Sequence, residues 1–127
     1  MNITQVKDFI KKYIQAEHFY SGSLRSSKEK SIAVINTRAY TNPIAIGSLA
    51  SYTSKGIVIL VHWNKNITDS ESKAIEVYNF FALQKELSIN NNRVIMYKML
   101  DPEPIYLGVD DSGIYEYAIY IEIIYER

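Results

Sequence analysis

The run of residues 114–125, Ile-Tyr-Glu-Tyr-Ala-Ile-Tyr-Ile-Glu-Ile-Ile-Tyr, constrains the fold of this chain more than any other segment. Alternate side chains of a strand point to opposite faces of a sheet, and here both sets are mostly apolar. Such a pattern predicts a long strand that is covered on both faces. The turn sequence Asp-Asp-Ser-Gly at 110–113 precedes it, so residues 105–109 and 114–125 are predicted to pair as a hairpin.

The remaining segments predict a single α+β domain over residues 1–127. Thr68 and Glu71 have the spacing of a capping box, and Thr-Ser-Lys-Gly at 53–56 is interpreted as a turn in which Gly56 supplies a positive φ. We expect the order α-β-β-α-β-β, with one mixed or antiparallel sheet and two helices packed on one face. The predicted elements are a helix over 3–17, a loop over 18–30, strands over 31–38 and 57–61, a helix over 68–87, a strand over 93–100 and the hairpin.

Composition excludes several kinds of site. The chain has no cysteine, which excludes a disulfide scaffold, a thiolate nucleophile and a thiolate zinc site. Neither a nucleophile elbow nor a phosphate-binding glycine loop occurs. No apolar run approaches the about 20 residues of a membrane span, and the first residues lack a signal-peptide pattern, so we expect no membrane contact.

Residues that carry chemistry are few. His18 and His62 are the imidazoles of the sequence, and neither has the spacing of a metal motif such as HExxH. Four acids lack the alternating spacing of a calcium loop and are interpreted as a solvated connector and turn: Asp101, Glu103, Asp110 and Asp111. We therefore expect no enzymatic activity, no cofactor and no metal. The alternative is a small hydrolase or nuclease that uses His62, these acids and a metal ion.

The surface available for contacts is richer than the chemistry. The second helix has an apolar stripe and further apolar residues beyond it, so either both its sides pack within the chain or one side is left for a partner. Eleven tyrosines, five of them from residue 106 onward, favour protein interfaces. In the last strand, the set 115, 117, 119, 121, 123, 125 suits a core, whereas the other set suits a half-exposed or subunit-facing surface. The predicted interface residues are Ile75, Phe80, Leu83, Tyr106, Tyr120, Glu116, Glu122, Arg25, Lys28 and Lys30.

Charge is unevenly distributed along the chain. Residues 1–65 hold nine Lys or Arg and three acids, a net charge of +6, whereas residues 66–127 hold five and eleven, a net charge of −6. Either folding interleaves the two halves, or the molecule has a basic and an acidic side that favour head-to-tail contacts between copies. Arg25, Lys28 and Lys30 lie in a Ser-rich loop, for which we expect non-specific DNA contact at most.

The block 104–117, Pro-Ile-Tyr-Leu-Gly-Val-Asp-Asp-Ser-Gly-Ile-Tyr-Glu-Tyr, resembles the closing motif of a family of small bacteriophage minor capsid proteins. Long-tailed phages and prophages of Gram-positive bacteria encode that family. The shared pattern is Leu-Gly, an acidic turn with Gly, an aromatic residue, Glu and an alternating strand. The preceding helix, with Glu76, Val77, Tyr78 and Leu83, is similar to the helix that precedes this sheet in the family. Ile114 departs from the pattern, because a basic residue is expected after the turn glycine.

The resemblance implies a structural role like that of a tail terminator at the head–tail junction. It implies copies of the chain as partners in a ring, commonly six-fold, together with tail-tube and head-connector proteins. The ring would end growth of the tail tube and dock the head, in the virion and, during assembly, in the host bacterial cytoplasm. The resemblance brings no catalytic residues. The alternative is a non-catalytic adaptor or binding module that uses the same tyrosine-rich face.

Overall fold

A computed structural model describes residues 1–24, 28–39, 52–83 and 88–126 of the chain. It has an α+β fold in which two helices accompany a seven-stranded mixed sheet. In chain order, the elements are α1 (Ile3–Tyr13), β1 (His18–Ser21), β2 (Ser31–Thr37), β3 (Tyr52–His62), α2 (Ile67–Ala82), β4 (Ser88–Ile89), β5 (Asn92–Met99), β6 (Ile105–Val109) and β7 (Tyr115–Glu126).

Strand β7 joins the two parts of the sheet. Along one edge it pairs antiparallel with β3, from His62 opposite Glu116 to Tyr52 opposite Glu126. Along its other edge it pairs first with β6 and then with β5. The strand order is β1-β2-β3-β7-β5-β4, and among the described strands only β1 and β2 pair in parallel. The long strand and its hairpin with β6 are therefore confirmed.

Both helices and alternate residues of several strands share a single hydrophobic core. Tyr117, Ile119, Ile121 and Ile123 alternate along β7 and are buried in this core, as their spacing predicts. Each large aliphatic side chain buried in this way contributes about 1.5–3 kcal/mol to folding. The core residues from the other elements are Val6, Phe9 and Ile10 of α1, Ile32 and Val34 of β2, Ile57, Ile59 and Val61 of β3, Ala74, Val77 and Phe81 of α2, and Val94 and Tyr97 of β5.

The second face of β7 is more buried than its sequence indicates. Ala118, Glu122 and Ile124 are buried there. The prediction of a half-exposed face therefore holds only for Glu116 and Tyr120, which are half-buried.

The second helix starts at a different cap from the predicted one. Asn66 is the N-cap, and its side-chain oxygen accepts a hydrogen bond from the backbone N–H of Asp69. Thr68 lies inside the first turn, so its spacing to Glu71 does not mark a capping box. Asp69 does occupy the first turn, where the helix dipole favours an acid. The helix ends at Ala82 with Leu83 as its C-cap, earlier than predicted, and residues 84–87 lie outside the described part of the chain.

Strand β3 replaces a predicted turn. Residues 53–56 continue β3 because they pair with the C-terminal half of β7. The φ angle of Gly56 is not positive. A Cβ at this position would lie 2.7 Å from the carbonyl oxygen of Arg38, so glycine is required by the close approach of the neighbouring backbone. Tertiary pairing has overridden the local turn signal.

Three further predictions are corrected by the described residues. Helix α1 ends at Tyr13 instead of residue 17, and β1 lies within the predicted loop 18–30. The short strand β4 was not predicted either. With β1 and β4 added and the two strands of the hairpin counted separately, the predicted order of six elements becomes nine among the described residues. Neither helix of the described chain is long and apolar enough to cross a membrane.

Candidate interaction surfaces and the His62 cluster

The two halves of the chain form two neighbouring blocks of the sheet. Strands β1, β2 and β3 come from residues 1–65 and lie together, and β7, β5, β6 and β4 come from residues 66–127 and lie beside them. Pairing does not interleave the two sets of strands, so the described strands of the basic half and those of the acidic half occupy separate blocks of the sheet. This arrangement favours a basic and an acidic side over interleaved charge.

An acidic groove lies between α2 and the connector that leads into β6. Its volume is about 550 Å³. Three apolar residues on its wall are strongly exposed: Ile67, Ile75 (42%) and Tyr106 (53%). Its charged lining residues are the acids Glu71, Asp101 and Glu103. The groove thus combines an exposed apolar wall with negative charge.

Contacts within the chain hold the walls of the acidic groove in place. The Tyr78 hydroxyl donates a hydrogen bond of 2.7 Å to the Asp101 carbonyl oxygen, which ties the connector to α2. Tyr106 packs edge-on against Tyr117, with ring centroids 5.5 Å apart. The Tyr117 hydroxyl lies 3.4 Å from Glu71 Oε2, and burial, followed by that carboxylate, raises the pKa of Tyr117. The groove is therefore shaped by fixed side chains before any partner binds.

A basic groove of about 540 Å³ lies on another side of α2. Lys11, Lys30 and Lys73 line it, together with a single acid, Glu17. Its apolar floor includes Trp63, and Lys73 Nζ lies 4.9 Å from the centre of the Trp63 ring. Helix α2 therefore separates two grooves of similar volume and opposite charge.

The broad apolar surface of α2 is used in both of the ways considered from sequence. Phe80 packs within the chain, with ring centroids 5.9 Å from Phe9 and 5.4 Å from Tyr13. Ile75 instead lines the exposed acidic groove. Leu83, at the end of the helix, is 77% exposed.

The other predicted interface residues lie in different places. Tyr106 is in the acidic groove, and Lys30 is in the basic groove. Lys28 is exposed, whereas Glu122 is completely buried and so lies away from the surface that the chain presents. Arg25 lies outside the described residues.

His62 forms a cluster that sequence spacing did not reveal. It ends β3 opposite Glu116 of β7, and only 1% of it is exposed. Its Nε2 lies 2.6 Å from Asp110 Oδ2 and 3.6 Å from Glu116 Oε1. Its Nδ1–H donates to the Lys28 carbonyl oxygen at 2.9 Å. Three segments that are distant in sequence therefore meet at one imidazole.

Asp110 also organises the hairpin turn. Its Oδ1 accepts hydrogen bonds from the backbone N–H groups of Ser112 and Ile114, at 2.8 and 2.9 Å. The hydrogen bond from His62, followed by these backbone donors, holds the pKa of Asp110 below its ordinary value. Asp110 lies in the hairpin turn as predicted and is partly exposed, but its side chain is hydrogen-bonded to His62 and to the turn backbone. The sequence features that could have indicated this cluster are the acidic turn at 110–113 and the histidine that ends β3. They are distant in sequence, and only the pairing of β3 with β7 shows that they lie side by side.

The model of the family described as "Bacteriophage tail terminator protein" matches residues 10–127. The chain belongs to this tail terminator family. The match includes both grooves and the His62 cluster, and it confirms the terminator resemblance. A search of curated proteins found no match. Membership of the terminator family indicates a structural role in the phage and a place in the virion.

Proposed function

We propose that this terminator assembles head to tail with copies of itself into a closed ring on the end of the tail tube. There it ends tube growth and offers a docking face to the head connector. The observation that supports this proposal is the pair of grooves of opposite charge on different sides of α2. We keep six-fold symmetry as the expectation for the ring.

A ring of identical subunits needs heterologous contacts, in which one patch of a copy meets a different patch of the next. The acidic groove and the basic groove, with its Lys11 and Lys30, are two different patches that could meet in this way. Opposite charges orient the two surfaces as they approach and suppress contact between two acidic or two basic grooves. The charge pattern therefore favours a head-to-tail ring over a two-fold dimer.

The apolar wall of the acidic groove would supply the hydrophobic contribution to the contact between subunits. Tyr106 and Ile75 are exposed in the free chain, and their burial would remove apolar surface from water. Tyrosine is among the residues that dominate interface energies when a partner covers it. We assign Tyr106 as the central contact of this surface.

Further contacts belong to the ring as a whole. Lys28 is exposed outside both grooves, and in a ring it would provide sequence-independent attraction for DNA that passes through it. Partners other than the chain itself are the tail-tube and head-connector proteins. Assembly takes place in the host bacterial cytoplasm before the protein enters the virion.

Charge reversal tests the groove-to-groove contact. Glu103→Lys makes the acidic groove less negative and Lys11→Glu makes the basic groove neutral, so each variant alone weakens the attraction at every ring contact and places like charges together where positions 103 and 11 face each other. A mixture of the two restores opposite charges in a ring of alternating variants, which requires an even number of subunits. We expect each variant alone to fail to assemble and to leave tail tubes overlong, and the mixture to recover both functions.

Light scattering across protein concentration and electron microscopy of tail tubes provide the readouts. Lys65→Glu, an exposed change outside both grooves, is the control and should behave as the wild-type chain. A mixture that performs no better than its components would reject the groove-to-groove contact. A wild-type chain that stays monomeric and never binds tubes would reject the ring proposal itself. A monomer in free solution would not, if the ring forms on the tube.

A further inference from the structure

We propose that His62, Asp110 and Glu116 bind a divalent transition-metal cation of the Zn²⁺ or Mn²⁺ class. His62 Nε2 and one carboxylate oxygen from each acid lie within 4.8 Å of one another. One imidazole nitrogen and two carboxylates suit these cations better than Ca²⁺ or Mg²⁺, which favour oxygen ligands alone. The site is separate from both grooves and does not depend on the ring proposal.

The orientation of His62 is the first argument. Histidine ligands of metals almost always donate their other ring N–H to a carbonyl or carboxylate, which fixes the tautomer and the ring. His62 has this arrangement, because Nδ1–H donates to the Lys28 carbonyl oxygen. The Nε2 atom is then directed towards Asp110 and Glu116. Because the side chain is only 1% exposed, packing prevents the ring from turning away.

The spacing of the donor atoms is the second argument. Bonds of about 2.0 Å in a tetrahedral site place neighbouring ligand atoms about 3.3 Å apart. The distances from Nε2 to the two carboxylates, 2.6 and 3.6 Å, lie on either side of that value. The third pair, one oxygen of Asp110 and one of Glu116, lies within 4.8 Å, so rotation of the two acidic side chains would be enough to bring the three donors to similar distances around a cation.

Access and charge also fit. The Asp110 and Glu116 side chains are 20% and 30% exposed, so a hydrated cation can reach the donors while His62 stays buried. Three protein ligands leave a fourth position for water. The two carboxylates balance the charge of a divalent ion.

Bound metal would act as a structural clip. Asp110 lies in the β6–β7 turn, Glu116 lies in β7, and His62 ends β3. The His62 ring also donates a hydrogen bond to the Lys28 carbonyl oxygen. One ion would therefore fix the hairpin turn to the neighbouring strand and to the segment that precedes β2. A structural site of this kind stabilises the folded state because the unfolded chain does not preserve it.

Calorimetric titration of Zn²⁺ into chelator-treated protein tests the site. We expect one ion per chain and a rise in melting temperature on binding. Glu116→Gln removes one anionic donor from a half-buried position, and it should weaken Zn²⁺ binding about tenfold or more and abolish the rise. His18→Asn is the control, because His18 is a partly exposed histidine outside the cluster that could bind zinc adventitiously. This variant should bind Zn²⁺ as the wild-type chain does and show the same rise in melting temperature.

A second variant guards against misfolding. Asp110→Asn removes a ligand but retains an oxygen that can accept the turn hydrogen bonds, and circular dichroism would verify its fold. Visible bands of bound Co²⁺ in the wild-type chain, absent from Glu116→Gln, would identify the protein ligands directly. Absence of Zn²⁺ binding at 1 mM would overturn the proposal. So would binding that survives Glu116→Gln and disappears in His18→Asn, and the His62 cluster would then be a set of hydrogen bonds that links β3 to the hairpin turn without a metal ion.

Discussion

The hydroxyl of Tyr97 provides a prediction in which removal of one atom stabilises the protein. The ring is buried in the core and packs edge-on against Phe81, with centroids 5.2 Å apart. Its hydroxyl oxygen is buried and has no hydrogen-bond partner among the described residues. A buried polar group without a partner costs about 1–3 kcal/mol. We therefore expect Tyr97→Phe to increase the free energy of unfolding by about 1–3 kcal/mol.

The same residue predicts a loss of stability in alkali. Burial, followed by the neighbouring Tyr13, raises the pKa of Tyr97 well above its ordinary value. The folded chain thus keeps the phenol neutral at a pH where the unfolded chain ionises it. Stability is unaffected below the ordinary tyrosine pKa and falls by about 1.4 kcal/mol per pH unit above it, until the folded pKa is reached. Tyr97→Phe should remove this part of the alkaline loss.

Urea unfolding at neutral pH and at about pH 11 measures both effects. Tyr78→Phe is the matched control, because the Tyr78 hydroxyl donates a 2.7 Å hydrogen bond to the Asp101 carbonyl oxygen. The same chemical change should there lower the free energy of unfolding by about 1 kcal/mol. If Tyr97→Phe destabilises the protein as much as Tyr78→Phe, the Tyr97 hydroxyl has a partner and the reasoning is refuted.

Two further substitutions test corrections that the structure makes to the sequence predictions. Asn66→Ala should lower the free energy of unfolding in urea by about 1 kcal/mol because it removes the observed N-cap, whereas Thr68→Ala should lower it clearly less. Equal losses in the two variants would argue against Asn66 as the cap. Gly56→Ala should lower the free energy of unfolding by about 1–3 kcal/mol in the same assay, because the new methyl group would lie 2.7 Å from the Arg38 carbonyl oxygen. An unchanged stability would show that the backbone at Arg38 approaches β3 less closely.

The parts of the fold that were predictable depend on local periodicity. Strand β7 was visible because apolar residues fill both of its faces, and the hairpin was visible because an acidic Gly-containing turn precedes it. Helix α2 was visible from its stripe of apolar residues. These signals lie within one segment and need no knowledge of its neighbours.

The parts that were missed depend on pairing between distant segments. Residues 53–56 resemble a turn until β7 is placed beside them. Phe80 and Ile75 both widen the apolar surface of α2, and only the position of α1 shows that the first is packed and the second exposed. His62 and Asp110 are separated by 48 residues and meet because β3 ends beside the β6–β7 turn. Sequence spacing alone cannot identify such a cluster.

The central position of β7 has a consequence for biosynthesis. Both β3 and β5 precede it in the chain, and each pairs with it along one edge. During synthesis on the ribosome, the backbone groups of β3 and β5 that face β7 therefore lack their hydrogen-bond partners until residues 115–126 emerge. Contacts between such distant residues slow folding, and open strand edges invite association with other nascent chains. Chaperones that shield extended segments should consequently increase the yield of folded protein when this chain is expressed.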